Sequence, residues 1–253
     1  MSPPIITRLP WLLERLVSSM SRKKVIFVIV EGPSDETALG AILSKIFDRN
    51  NVYLHIMRED ITTKNGVNVS NILSRIGNIV KQYAKDNHFS KSNFQEIIHL
   101  VDMDGAYIPD ESVIEDLSAE RPVYSLSAIH TANREGIVSR NEQKRKNIDK
   151  LCGCSQIWSL PYQVYFMSCN LDHVLYNKLN STDTEKEDDS YKFAYRYKNN
   201  TAEFITYISE SAFSLTEGYK ESWNYIKDGL HSLERHTNFG LCFQELVNDK
   251  EKV

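Results

Sequence analysis

The pattern of apolar and polar positions predicts a buried strand near the start of the chain, followed by a turn and a helix. Positions 25–30 read VIFVIV, an unbroken apolar run rich in β-branched residues, and the acidic residue Glu31 follows it at once. Such runs are typical of strands that are buried on both faces of a parallel sheet. An apolar stripe then recurs with the period of an amphipathic helix. The stripe consists of Leu39, Ile42, Leu43 and Ile46.

The same succession of strand and helix continues along the chain. Further strands are expected at Val52–Met57, Glu96–Val101 and Val164–Met167, and a helix at Val69–Ala84. Strands that alternate with helices at this spacing indicate βαβ units and a parallel sheet. We therefore predict an α/β, Rossmann-like fold with a mostly parallel sheet flanked by helices.

Three segments fit this alternation less well. Pro109–Leu117 has the pattern of a short helix, and Pro122–Ile129 that of a further strand. Asn180–Ser190 holds five acidic residues and one lysine, and we expect a linker or a mobile loop there.

The patterns divide the chain into three parts. Residues 1–20 carry an amphipathic helical stripe, residues 21–179 form the predicted sheet domain, and residues 180–253 have helical patterns. The last part is rich in aromatic residues, which we interpret as core or interface. We thus expect a helical C-terminal appendage beside the sheet domain.

Composition and charge exclude several function classes. The net charge of −4 argues against a global attraction to nucleic acid but leaves room for a local basic groove. No apolar run reaches the ~20 residues of a membrane span, and no basic flank precedes an apolar core at the start. We expect a cytoplasmic protein without a membrane partner. Cys152 and Cys154 are one residue apart, closer than zinc ligands, so we expect reduced structural cysteines.

Acidic residues follow three of the predicted strands. Glu31 follows the first strand, Asp102 and Asp104 a later one, and Asp172 comes shortly after the last. The carboxyl ends of parallel strands meet at one edge of a sheet, so we expect these side chains to converge. Clustered carboxylates repel one another unless a cation lies between them, and Mg²⁺ takes oxygen ligands. The alternative is that the acids are helix caps and solvated loop ends, a role that suits Asp35 in particular.

A basic segment lies between the later strands. Arg134–Lys150 has six Lys or Arg residues against three Asp or Glu. Its cations are candidates to contact the phosphates of a nucleic acid beside the acids. They are Arg134, Arg140, Lys144, Arg145 and Lys146. The alternative is a solvated helix face.

Two motifs resemble those of the Toprim domain, which occurs in topoisomerases, primases and OLD-family nucleases. They are EGPSD, which begins at Glu31, and DMDG, which begins at Asp102, each after an apolar strand. The resemblance covers roughly residues 23–179 and implies a Toprim-like fold for that part of the chain.

The resemblance also implies a role for each acid. Glu31 would be a metal-linked general acid/base, and Asp102 and Asp104 would bind Mg²⁺, with Mn²⁺ as a substitute. Asp35 belongs to the first motif and is a further catalytic candidate. The segment NLDH around Asp172 looks like a divergent version of one in RloB-like defence proteins. Asp172 is therefore expected as an additional catalytic and metal-binding acid.

A stand-alone chain of this kind is similar to the Toprim effector subunits of bacterial anti-phage systems such as PARIS. The resemblance implies a Mg²⁺-dependent endonuclease that hydrolyses phosphodiester bonds in DNA or RNA, tRNA included, as an antiviral effector. The chain has no P-loop motif, so an ABC-type ATPase would be a separate partner. The alternative is a non-catalytic Toprim subunit that docks onto or regulates such an ATPase. The residues leave open which nucleic acid is cut and whether a homo-oligomer forms.

Overall fold

A computed structural model of the protein describes residues 23–48, 51–57 and 60–244. The amphipathic helix predicted within residues 1–20 lies outside the described residues. Across the described part, a five-stranded, mostly parallel sheet forms the centre, and helices cover both of its faces. The predicted α/β fold class is therefore confirmed. None of the helices described here is long and apolar enough to cross a membrane.

Strands and helices alternate along the first half of the chain, as predicted. The strands are β1 (Val25–Val30), β2 (Asn51–Ile56), β3 (Phe94–Asp102), β4 (Val113–Glu115), β5 (Val123–Tyr124), β6 (Ile129–Thr131), β7 (Gln156–Ile157) and β8 (Leu160–Met167). The helices are α1 (Pro33–Ile46), α2 (Ile72–Asp86), α3 (Arg134–Cys152), α4 (Leu171–Tyr176), α5 (Asp183–Tyr197), α6 (Thr201–Glu210) and α7 (Tyr219–Ile226). Short 3₁₀ segments lie at Lys91–Asn93, Asp110–Ser112 and Phe239–Phe243.

The central sheet has the strand order β2-β1-β3-β8-β7. Its first four strands are parallel, and β7 alone pairs antiparallel, with β8. Ile29 is paired with His99 across β1 and β3, and Asp102 with Met167 across β3 and β8. The carboxyl ends of β1, β3 and β8 therefore lie side by side at one edge.

Alternate residues of the strands face opposite helical layers. Phe27 and Ile29 pack on the side of α2 and α7, whereas Val28 and Val30 pack on the side of α1, α5 and α6. All residues of β1 are buried, because both faces are covered. The C-terminal helices α5 and α6 thus share a core with the sheet.

A second sheet of three short strands, in the order β4-β6-β5, corrects two predictions. The helix predicted at Pro109–Leu117 is wrong, because this segment forms a 3₁₀ turn followed by β4. The single strand predicted at Pro122–Ile129 is wrong as well, because β5 and β6 are separate strands that pair antiparallel. Val113 of β4 pairs in parallel with Ile129 of β6, and local composition does not reveal such a distant partner.

The acidic segment Asn180–Ser190 is neither a linker nor a loop, because most of it forms the first half of α5. Thr182 begins the helix with a capping box. Its Oγ1 accepts a hydrogen bond from the N–H of Glu185, whose carboxylate accepts one from the N–H of Thr182. Phe193 and Tyr197, further along, are buried in the core. The cap and the later apolar positions decide the structure of this segment, and its acids lie mostly on the solvent side.

Candidate functional site

The acids that follow β1 and β3 converge as predicted, at the carboxyl ends of these two strands. Glu31 follows β1 directly, and its Oε1 accepts a hydrogen bond of 3.0 Å from the backbone N–H of Asp102, the last residue of β3. The parallel register of β1 and β3 makes this contact possible, although the two residues are 71 positions apart. The first residues of the two motifs are therefore joined directly.

A tight turn after β3 places Asp104 in the same cluster. Asp104 and Gly105 both have positive φ, of 47° and 64°, and the N–H of Asp104 donates a hydrogen bond of 2.7 Å to the carbonyl of Cys169. The positive φ favours glycine at position 105, and a Cβ there would also lie 2.6 Å from Leu233 Cδ2, so that this side chain would have to shift. The turn holds Asp104 between the ends of β3 and β8.

Lys144 of α3 projects into the acid cluster, where its side chain is fully buried. Its Nζ lies 2.7 Å from Asp60 Oδ2 and 2.5 Å from Asp104 Oδ2. Burial alone would lower the pKa of Lys144, but the charges of Asp104 and Asp60 outweigh burial and raise that pKa well above its ordinary value. Burial would raise the pKa of Asp60, but the ion pair with Lys144 lowers it to about 2. The three groups form a charged triad in which the lysine is fully buried and the two carboxylates are partly exposed.

The two carboxyls nearest the strand ends are in a different electrostatic state. Burial, followed by the charge of Asp60, raises the pKa of Glu31 well above its ordinary value. Burial, followed by the charge of Glu31, does the same for Asp102. Among the described residues, no lysine or arginine forms an ion pair with either carboxyl. Glu31 and Asp102 are thus the acids whose charge is least compensated.

Asp35 lies beside this cluster in the role of a helix cap. Its Oδ2 accepts hydrogen bonds from the backbone N–H groups of Glu31, at 3.2 Å, and Gly32, at 3.0 Å. Burial raises the pKa of Asp35 to about 6, and the charge of Asp172 adds to the effect. The structural alternative for Asp35 is therefore realised, and a catalytic role for it stays a prediction.

Asp172 lies on the Asp35 side of the cluster, in the first turn of α4. It is nearly buried, and its Oδ2 is 3.5 Å from Nζ of Lys186 on α5. Asn170 caps this short helix by accepting a hydrogen bond from the N–H of His173. The structure thus brings Asp172 close to Asp35, but ties it to a surface lysine, and its metal-binding role stays a prediction.

The predicted phosphate-binding residues of α3 point in different directions. Backbone carbonyls accept hydrogen bonds from the guanidinium groups of Arg134, Arg140 and Arg145. Lys144 has no exposed surface, and its ammonium pairs with Asp60 and Asp104. Lys146 is exposed and pairs with Glu142, one turn away on the same helix. These residues do not form one basic face, and their nucleic-acid contacts stay predictions.

The donor atoms fit Mg²⁺ in their chemistry, and only partly in their arrangement. Carboxylate oxygens are the ligands that this ion takes, and Glu31 and Asp102 are partly buried carboxyls that form no ion pair among the described residues. In the part of the chain that is described, however, no three Asp, Glu, His or Cys side chains are grouped so that they could hold a metal ion. Asp104, the third expected ligand, instead contacts Lys144.

Two members of this site, Asp60 and Lys144, were not predicted as part of the acid cluster. Asp60 follows β2, whose carboxyl end lies at the same edge, so the rule that selected Glu31 could also have selected Asp60. Lys144 lies on the buried stripe of α3, which otherwise holds two asparagines and three apolar residues. The stripe comprises Ile137, Asn141, Lys144, Asn147, Ile148 and Leu151. A lysine on such a stripe is a signal that counting the charges of the segment overlooks.

Comparisons with known proteins do not assign the chain to a family. Neither a family model, nor a curated protein, nor a solved structure matches the chain. The resemblance to Toprim proteins therefore rests on the two motifs and stays a prediction.

Proposed function

We propose that the protein is a Mg²⁺-dependent endonuclease that hydrolyses phosphodiester bonds of DNA or RNA, tRNA included, at the cluster of Glu31, Asp102 and Asp104. The observation that carries this proposal is the hydrogen bond between Glu31 and the end of β3, which brings acids of two motifs together. A scaffold has no need for partly buried carboxyls without an ion pair at adjacent strand ends, because their desolvation destabilises the fold. A site for a cation and a phosphate accounts for them.

Glu31 and Asp102 each have a definite task in such a site. Glu31 and Asp102 are the residues that would hold the cation, which when bound compensates phosphate charge and lowers the pKa of water. Glu31 Oε1 is held by the N–H of Asp102, which leaves Oε2 to accept the proton of the attacking water. The water oxygen forms a bond to phosphorus while the bond to one sugar oxygen breaks, and that oxygen takes a proton from solvent.

The biological setting is part of the proposal and rests on the resemblance alone. The protein would act as an effector of bacterial anti-phage defence, in the cytoplasm, with a separate ABC-type ATPase as its partner. Co-expression with a neighbouring ATPase gene, followed by purification of a complex, tests this part without reference to the chemistry. An ATPase that neither binds the protein nor changes its activity would contradict it.

The chemistry is tested by metal binding and cleavage with matched variants. Wild-type protein is titrated calorimetrically with Mg²⁺ and then incubated with plasmid DNA and with total tRNA. We expect Glu31→Gln and Asp102→Asn to reduce cleavage by about 100-fold or more. Glu36→Gln serves as the control, since Glu36 is an exposed acid on α1. Cleavage that persists in both site variants would remove this site from the mechanism.

A second candidate function is favoured by one observation. Lys144 already pairs with Asp60 and Asp104 inside the cluster, which is the arrangement expected of a site held inactive or retained as structure. In that case the protein would be a non-catalytic subunit that docks onto or regulates the ATPase. Absence of cleavage by wild type, alone and with the partner, would favour this candidate.

A further inference from the structure

The acid cluster is divided into two halves that differ in their counter-charge. One half consists of Glu31 and Asp102, which form no ion pair among the described residues, although the charge of Lys144 reaches both and opposes the rise in their pKa values. The other half consists of Asp60 and Asp104, and the ammonium of Lys144 contacts one oxygen of each. The charges of Asp60 and Asp104 also reach Glu31, so the halves are adjacent.

The lysine half is built rigidly. Oδ1 of Asp60 accepts hydrogen bonds from both the N–H and the hydroxyl of Thr62, at 2.8 and 2.6 Å, which leaves Oδ2 for Lys144. The loop that begins at Asp60 is also bound to the next turn of α3, because Nδ2 of Asn147 donates a hydrogen bond of 2.7 Å to the carbonyl of Thr62. Gln143 ties the far end of the loop to α3 through the carbonyl of Val67.

The ammonium of Lys144 neutralises negative charge on Asp60 and Asp104, as a second metal ion would. In two-metal sites the ions lie ~3.5–4 Å apart and share carboxylate ligands. Here the carboxylates of Asp60 and Asp104 already have a buried, fixed cation, and a divalent ion beside Lys144 would meet a like charge in a site of low dielectric. Lys144 thereby occupies one oxygen of each carboxylate and puts a positive charge beside the place that a second ion would take.

We propose that Lys144 is a built-in counter-cation that limits this site to one divalent ion, held on the Glu31 and Asp102 side, and that Asp60 is its positioning residue. The inference rests on the proposed function, because it specifies the metal content of that same site. It assigns to Asp104 the task of holding Lys144 rather than that of a metal ligand.

The first test counts the ions in unmodified protein. Calorimetric titration of wild type with Mg²⁺ is expected to give one ion per chain. Electron paramagnetic resonance of the Mn²⁺-loaded protein is expected to give the spectrum of an isolated ion, without the coupling of a close Mn²⁺ pair. This measurement does not depend on whether a variant folds, and it reads the site without using cleavage.

The second test removes the ammonium while keeping the length of the side chain. In Lys144→Met the carboxylates of Asp60 and Asp104 lose their partner, so we expect a second ion to bind and coupled Mn²⁺ signals to appear. We also expect saturating Mg²⁺ to raise Tm by about 5 °C more than it does in wild type. Lys146→Met is the matched control, because Lys146 is exposed on the same helix, and it should behave as wild type.

The possible outcomes separate the inference from the function on which it rests. Two ions in wild type would overturn the inference and leave the nuclease proposal standing. No ion in wild type would overturn both. A third outcome is one ion in wild type with an unchanged ion count and thermal shift in Lys144→Met. It would overturn only the role assigned to Lys144.

Discussion

The two ends of the parallel sheet are built from the same strands but differ in the polarity of their side chains. The amino ends of the strands, on the face covered by α2, carry an apolar cluster of aromatic rings. Phe94 at the start of β3 lies 5.8 Å from Trp158 and 6.1 Å from Tyr83, and Tyr83 stacks on Tyr53 at 3.9 Å between ring centroids. The carboxyl ends instead carry partly buried carboxyls of one sign, with Lys144 as the one buried lysine of the described residues.

The amino ends of the strands stabilise the fold, whereas the acids at the carboxyl ends destabilise it. Burial of the aromatic rings removes apolar surface from water and stabilises the fold. Partial burial of Glu31 and Asp102 has the opposite effect, because each charge loses part of its hydration and faces another acid. A site that violates the rules of a stable core, inside a fold that otherwise keeps them, is where function is to be sought.

The largest effect is expected at the amino end. Phe94→Ala should lower the free energy of unfolding by about 3–5 kcal/mol, because the ring is nearly fully buried and its loss leaves a cavity. Urea unfolding measures this change, and Mg²⁺ affinity should be unaffected in the folded variant. Phe89→Ala, at a half-buried ring of the same cluster, should cost less. Equal losses in the two variants would break the description of this end as a packed core.

A pH effect is expected in the middle of β3, between the two ends. Burial lowers the pKa of His99 to about 4, and its Nδ1 is 2.8 Å from the hydroxyl of Tyr162 on β8, while the charge of Asp60 opposes the shift. The unfolded chain takes up a proton near pH 6.5 and the folded chain only near pH 4, so stability falls as pH drops through this window. The loss attributable to His99 is about 3 kcal/mol.

The contribution of His99 is isolated by His99→Gln, which keeps a hydrogen-bonding group and removes the titration. Unfolding free energies of wild type and variant are compared at pH 7 and at pH 4.5. Acids that titrate in both proteins cancel in the difference. A variant whose stability falls as steeply as that of wild type would assign the acid sensitivity to the carboxyl end of the sheet.

The smallest effect is expected at the carboxyl end, and its sign is reversed. Asp102→Asn, in the presence of a chelator at pH 7, should stabilise the protein by about 1 kcal/mol, because it removes a buried charge from a cluster of like charge. The pKa of Asp102 is raised in the folded state, so wild type loses stability as pH rises above about 4 and the gain should vanish near that pH. Addition of Mg²⁺ should stabilise wild type and not the variant.

Asp228→Asn, at an exposed aspartate, is the control for this last prediction and should leave stability within about 0.5 kcal/mol of wild type. Destabilisation by Asp102→Asn in the chelator would mean that the carboxylate of Asp102 makes favourable contacts, and that the contrast between the two ends is smaller than described.

The elements of the central sheet could be predicted because their signals are local. The run from Val25 to Val30 is apolar throughout, and the stripe of α1 follows it at helical spacing, so neither needs a distant partner to be recognised. The small sheet could not be predicted in this way, because β4 and β6 pair across a separation that no local pattern records. The acidic start of α5 was misread for a related reason, since its buried positions come only after the acids.

The candidate site shows the same division. From the sequence alone came the strand ends, the acids Glu31, Asp102 and Asp104 that follow them, and the glycine at the turn after β3, because each is set by neighbouring residues. Only the tertiary structure decided that Lys144 enters the cluster and pairs with Asp60, since a helix far along the chain must first pack across the sheet edge. A charge has a known sign in the sequence, but its partner and its burial are properties of the folded chain.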